Sequence, residues 1–426
     1  MKILIPRFVM PVAALLAGAA YAGGGEALAR GPEVDYLVRN LSSLGGTVSR
    51  GNSVNDLGLV AGYSNLAGNQ SRHASLWFQG FQVDLGTLGG PNSNVAWPVK
   101  NDQGLIAGIA QTATPDPLGE HWSCRAFFPA PNNTGFTCLG AVWEWGAVRA
   151  LPTLGGNNGF AAGANNLGQV TGWAENTVHD SKCVPPQVLQ FRPVVWGPAA
   201  GQIQELPLLP GDSSGAATGI NDRGQAIGIS GICDQAVGRF TAAHAVLWEN
   251  GAVTDIGSLG GEAWNTPMAI NGHGDVVGFA GTAGDPEGNV LRAFLWRRGQ
   301  GMQSLGFLPG HVYSEAHGIN ASRQVVGISC DVDFNCRAFL WENGVMTDLN
   351  TLVAPGYAGV LTTAQDINDA GTITGRAFMP ASGENPAFVA IPVPRHPLAG
   401  GRPLAEVVLP ENVKRELRHP LGPRRR

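Results

Sequence analysis

The apolar positions of this chain come in short runs of four to eight residues, cut by glycine, asparagine and aspartate, with no sustained helical period. The clearest unit spans residues 217–261. A small apolar segment, Ala217 to Ile220, ends in Asn221-Asp222-Arg223-Gly224, which suits a type I turn closed by a left-handed glycine. A second apolar run, Gln225 to Ser230, is followed by a loop and then by His244 to Trp248, rich in β-branched and aromatic residues. Asn250-Gly251 is a strong hairpin signal, and Ala252 to Leu259 alternates before Gly260-Gly261. Four hairpin-linked strands in such a unit match one blade of a β-propeller.

The unit recurs. Its turn asparagine reappears as Asn55, Asn101, Asn165, Asn221, Asn271, Asn320 and Asn368, and its third-strand tryptophan as Trp77, Trp143, Trp196, Trp248, Trp296 and Trp341. Seven copies are therefore expected. In the sixth, Arg323 stands where the turn wants glycine, at a cost of roughly 1–2 kcal/mol in a left-handed conformation, which predicts a hairpin of different build. The seventh copy, Thr363 to Ile391, lacks a fourth strand, while a spare strand, Val34 to Leu44, precedes the first copy. Pairing the two closes the ring and leaves no open sheet edge between the termini; the alternative is an open solenoid of seven sheets. The reading is an all-β, seven-bladed propeller over residues 34–394.

Composition agrees: 61 Gly and 29 Pro among 426 residues, with only 14% charged, suit tight turns and buried sheets. Residues 1–22 read as a secretory signal, with Lys2 and Arg7 before an apolar run and Ala20-Tyr21-Ala22 as a cleavage site, and residues 23–33 as a linker. No later run is long enough to span a bilayer. Residues 8–394 carry 17 basic and 29 acidic side chains, an acidic body that argues against a nucleic-acid partner. Residues 395–426 carry eight basic and three acidic side chains and read as a basic, disordered tail with one helix-like stretch from Glu411 to Arg418, able to touch an anionic surface. The six cysteines fit an oxidising compartment and allow 15 pairings, which position narrows. Cys124 and Cys138 bracket one insertion, Cys330 and Cys336 a short loop, and Cys183 and Cys233 lie in the loops of adjacent copies. Zinc lacks its spacing here.

The run Ala338 to Gly344, its variant at His244 to Trp248, and Gly219 to Gly224 resemble the HAF-type repeats of exported bacterial proteins, named for a His-Ala-Phe triplet. His73 and His244 keep the histidine, while Arg125, Arg292 and Arg337 replace it. The resemblance implies export and a β-rich repeat fold, and no established activity. The recurrence of His or Arg at this position points to structure, for example a charge paired with a neighbouring blade.

In such a ring the long loops between second and third strands share a face with the blade-to-blade links. Those links bring Trp97, Phe160, Trp264, Tyr313 and Tyr357 together with Asp212, Glu262 and His311. Aromatic planes beside polar groups suit a carbohydrate-like ligand, or a protein partner, without a cofactor. Alternatively these aromatics cover blade junctions. Glu262 and His311, with His317 nearby, are the candidates for acid–base chemistry in a hydrolase or lyase. Asp331, Asp333 and Asn335 alternate oxygens as in a calcium loop, without its glycine or distal glutamate. The leading expectation is a secreted or periplasmic binding module for a glycan or envelope protein. A purely structural envelope protein is the third possibility.

Overall fold

The computed structural model describes residues 34–395 and 407–417, apart from 121, 134, 145, 235–237 and 286–289. The signal and linker segments and the remaining tail residues lie outside them. Seven four-stranded antiparallel sheets form a seven-bladed β-propeller. Blade four, the unit first read from the sequence, comprises Ser214–Ile220, Ala226–Gly231, His244–Glu249 and Ala252–Gly257. In blade seven, Val34–Asn40 pairs with Ala387–Pro394, Tyr36 facing Pro392 and Asn40 facing Phe388. The ring is closed by the N-terminal strand as expected.

Each second strand carries one glycine whose role is steric. In six of the seven blades the inner strand bulges beside it, between Ala217 and Gly219 in blade four. A Cβ on Gly62, Gly108, Gly172, Gly228, Gly278, Gly327 or Gly375 would sit 1.9–2.2 Å from an inner-strand carbonyl oxygen. No side chain fits there.

The turn asparagines build one face. In blade four the Asn221 carboxamide oxygen accepts from the Arg223 and Gln225 amides, and its Nδ2 donates to Asn271 O of the next blade at 3.1 Å. The same inter-blade bond leaves Asn55, Asn165, Asn271, Asn320 and Asn368, the last reaching Asn55 O at 2.9 Å across the closure. A second ring runs beside it, in which the backbone amides of Asp56, Asp102, Asn166, Ala321 and Asp369 donate to the next blade's Asp102, Asn166, Asp222, Asp369 and Asp56 side chains. Arg323 corrects an expectation. Its hairpin is built like the others, Arg323 takes the left-handed conformation itself (φ 61°), and its Nε donates to Asp275 Oδ2 of blade five at 2.7 Å.

Three of the six third-strand tryptophans anchor the links. Trp77, Trp196 and Trp248 donate to Ser42 O, Pro152 O and Pro207 O, each on the segment entering the same blade. The recurring His or Arg position has no single partner: Arg125 is not on a third strand but in the helix Trp122–Phe127, Arg292 donates to Val312 O on the link into blade six, and Arg337 donates to Val407 O. His73 bonds both oxygens of Asp84 at 2.9 Å, His244 lies 3.3 Å from Asp255, and Arg192 pairs with Glu205 at 2.8 Å. These pairs join third and fourth strands of one blade and do not cross to a neighbour.

The three disulfides are Cys124–Cys138, Cys183–Cys233 and Cys330–Cys336, as position suggested, and suit an extracytoplasmic protein. Among the described residues no helix is long and apolar enough to cross a membrane. Residues 407–417 depart from the expected solvated tail. Leu409 and Val413 are buried against Phe378, Leu409 N donates to Asn335 Oδ1 at 3.0 Å, and Glu411–Leu417 is helical. Three apolar side chains four residues apart, Leu409, Val413 and Leu417, give this stretch a packing face that its Pro- and Arg-rich surroundings hide.

Candidate functional site

Not all the aromatics singled out in the sequence sit on blade-to-blade links: Phe160 and Tyr313 belong to the inner strands Gly159–Ala164 and Tyr313–Ile319, Trp97 follows the inner strand Gly89–Asn94, and most of them are buried. Trp97 meets Phe127, Phe160 and Trp173 edge-on at 5.2–5.9 Å, and Phe160 stacks on Trp173 at 4.3 Å. Trp264 is 2% exposed and Tyr313 7%. Their ring faces are thus engaged by protein. Tyr357 is half-buried and ties blade seven to the closing strand through Asn40 Oδ1 at 2.7 Å.

Asp212 and His311 occupy equivalent places. Asp212 accepts from Ser230 Oγ at 2.5 Å, and His311 Nδ1 lies 3.0 Å from Ser329 Oγ; the same hydroxyls accept the Leu209 and Leu308 amides of the incoming link. Burial holds the His311 imidazole below its usual range. Glu262 is exposed and makes no hydrogen bond or ion pair among the described residues, so the two candidate acid–base residues are not brought together. His317 instead bonds Glu315 at 2.9 Å, and Glu315 also accepts from the Tyr313 hydroxyl, a relay buried along the inner strand of blade six. Asp331 spends its oxygens on the Asp333 and Asn335 amides and the Asn335 carboxamide, and Asn335 Oδ1 receives Leu409 N. Among the described residues no group of three or more His, Cys, Asp or Glu side chains is arranged to hold a metal ion.

Sequence reasoning missed the two most unusual polar arrangements. In the bore, Lys100 reaches from blade two to Asp366 of blade seven at 2.9 Å and to Ile319 O and Ile367 O. Asp366 is fully buried, and burial raises its carboxyl despite Lys100. Beneath the long loops of blades two and three lie Asp116, Glu120 and Glu175. Glu175 Oε2 accepts the Asn157 and Asn158 amides at 3.1 and 2.8 Å; Glu120 Oε1 accepts the Val188 and Leu189 amides at 2.7 and 2.5 Å. The Gln187 amide nitrogen lies between the two, 3.0 Å from Glu175 Oε1 and 3.3 Å from Glu120 Oε1. Burial, then the charge of Glu120, push the Glu175 carboxyl up to about 8, and burial also raises Glu120. One signal was available: Glu175 stands where the other copies carry Asn65, Gln111, Gly231, Gly281, Cys330 and Phe378.

Over this cluster a groove of about 780 Å³ opens between blades two and three. Its walls are Pro115, Pro117, Leu139, Leu151 and Pro152, interspersed with Thr114, Thr137 and Thr153; Arg149 is its one charged group, and Asn157 joins its floor to Glu175. On the opposite face a cavity of about 170 Å³ lies inside the ring of Asp56, Asp102, Asp222 and Asp369, with Lys100 among its lining residues.

No protein-family model and no curated protein matches the chain. Among solved structures it is similar to the acylaminoacyl peptidase of Pyrococcus horikoshii, with 11% identity, a TM-score of 0.40, and coverage of 81% of this chain and 52% of that one. It is also similar to the sialidase of Trypanosoma rangeli, at 10% identity and TM-score 0.35, covering 74% of this chain and 56% of that one. A gluconolactonase of Xanthomonas campestris follows at 12% and 0.31, covering 60% and 79%. At these identities and scores no activity or site carries over to this chain.

Proposed function

We propose that this is an exported, HAF-type repeat protein acting as a non-enzymatic binding module, and that its groove between blades two and three takes an extended segment of a partner protein. The groove itself carries this reading. It holds about 780 Å³, it is walled by prolines, leucines and threonines, and no aromatic ring lines it. Sugar recognition wants an aromatic plane, whereas rigid apolar walls with sparse polar groups suit an unfolded peptide stretch, and Arg149 favours a partner acid. Engagement of Trp97, Phe160, Trp264 and Tyr313 inside the protein moves the weight from carbohydrate to protein.

A photo-crosslinking residue placed at Thr153, and for comparison at Leu57 on the opposite face, tests this in cell-envelope extract. Crosslinked peptides are expected from Thr153 alone and are expected to vanish with Leu139→Arg. Equal yields from both positions, or glycan-array binding that survives Leu139→Arg with no peptide crosslink, would end the proposal.

A further inference from the structure

The groove wall is fastened by an arrangement short of protons. Asn158 Nδ2, with two hydrogens, lies 2.7 Å from Asp116 Oδ2, 3.4 Å from Glu120 O, and 3.4 and 3.2 Å from the two Glu175 oxygens. Its orientation is fixed, because Asn158 Oδ1 accepts the Cys138 amide at 2.9 Å. Among the described residues Glu120 Oε2 is buried with no hydrogen-bond partner, in a residue only 1% exposed. Three carboxyl groups thus share amide donors alone. The elements packed here are the 114–120 loop, the 156–158 link, the second strand of blade three and the 180–189 loop. Besides the three carboxyls they carry His179, Asp180 and Lys182. Asp180 accepts the Lys182 amide and the Gln190 carboxamide, and no Lys, Arg or His contacts the three carboxyls among the described residues. His121 lies outside the described residues.

We infer that the Asp116–Glu120–Glu175 cluster is a proton-operated latch on the groove: one proton held among these oxygens keeps segment 114–120 seated at neutral pH, and its loss in alkali frees that wall and releases the bound partner. The inference rests on the binding reading above. Its chemistry is that of close carboxyls that cannot all ionise without a cation. Segment 114–120 is what the latch would move, since Asp116 Oδ1 accepts the Leu118 and Glu120 amides and Asp116 Oδ2 is held by Asn158. Pro115 and Pro117 of that segment form the groove wall. The high carboxyl range of Glu175, about 8, agrees with a proton retained at neutrality.

Amide hydrogen exchange on the full chain at about pH 6.5 and about pH 9.5, corrected for intrinsic exchange, reads the latch directly. Leu118, Glu120, Val188 and Leu189, whose amides donate to the cluster, should lose protection about tenfold or more at the higher pH. Glu175→Gln, and independently Glu120→Gln, should flatten this response, and His121→Asn should keep it. Equal protection at both pH values, the same alkaline loss in both glutamine variants, or a response abolished by His121→Asn would overturn the latch. Crosslinking from Thr153 at the two pH values separates the two proposals. No peptide crosslink at either pH, with the exchange response intact, removes the groove reading and with it partner release. A crosslink indifferent to pH beside an intact exchange response removes the release step alone.

Discussion

The two faces of the ring are made by the same strands and held by different chemistry. The short-turn face repeats one solution: an asparagine caps its own turn and reaches the next blade, in six of seven places. The long-loop face repeats almost nothing. It is fastened by three disulfides, an aromatic cluster, a docked C-terminal helix and a carboxyl cluster that no cationic side chain touches among the described residues. Many small equivalent bonds make a face that tolerates the loss of one, while singular fastenings leave room for a groove and concentrate risk. A scaffold of the first kind supporting loops of the second is how binding surfaces are commonly carried.

The largest expected effect is on the long-loop face. Glu175 ordinarily ionises near 4.5 and in the folded chain near 8. A folded value raised above the unfolded one means that the folded state binds the proton more tightly. The stability that Glu175 contributes is then fullest below about pH 4.5 and is lost as pH rises through about 8, a loss on the order of a few kcal/mol. Denaturant midpoints across this window should slope downward in the natural chain and less steeply in Glu175→Gln; parallel slopes would remove Glu175 as the cause. Next comes Lys100→Met in the bore, which leaves Asp366 buried without its cation. Because the Lys100 side chain is 25% exposed, the low end of the usual range applies, about 3 kcal/mol. An unchanged midpoint would show the bore ion pair to be neutral to folding.

Removing the bond between the loops of blades three and four follows in size. Cys183→Ser/Cys233→Ser should cost about 2–3 kcal/mol and loosen the 180–189 loop that donates to Glu120, while leaving exchange at Asn221 and Asn271 unchanged. If the short-turn amides lose protection equally, the faces are not independent and the contrast between them fails.

How far the sequence spoke follows the same division. The blades, their number and the closing strand were legible because turn chemistry at Asn-Asp-x-Gly and the spacing of tryptophans are local and repeated. The steric glycines at Gly62, Gly108, Gly172, Gly228, Gly278, Gly327 and Gly375 form a column that was not read from the sequence, and only the closeness of the inner-strand carbonyls explains it. The site was not legible in this way. Trp97 and Phe160 have the composition of a sugar platform, and whether an aromatic faces solvent or another ring depends on how loops from two blades meet over it. Arg323 misled because local propensity was opposed by a partner, Asp275, 48 residues away. Glu120 and Glu175 escaped because their meeting joins a loop of one blade to a strand of the next, with no spacing rule to announce it.

The smallest effect gives the sharpest test of the regular face, because the ring contains its own control. Asn101 caps its turn like its counterparts, accepting the Gln103 and Leu105 amides, but its Nδ2 turns back to Leu105 O at 2.6 Å and does not reach blade three. Asn221→Ala removes both a cap and an inter-blade bond and should cost about 1.5–2 kcal/mol; Asn101→Ala removes the cap and an internal bond and should cost about 1 kcal/mol or less. The two sites lie in different blades with no shared partner, so the double variant should show the sum within about 0.5 kcal/mol. Equal losses for the two single variants in urea would mean that the turn cap alone carries the energy. The inter-blade asparagine ring would then follow from the propeller's geometry without stabilising it.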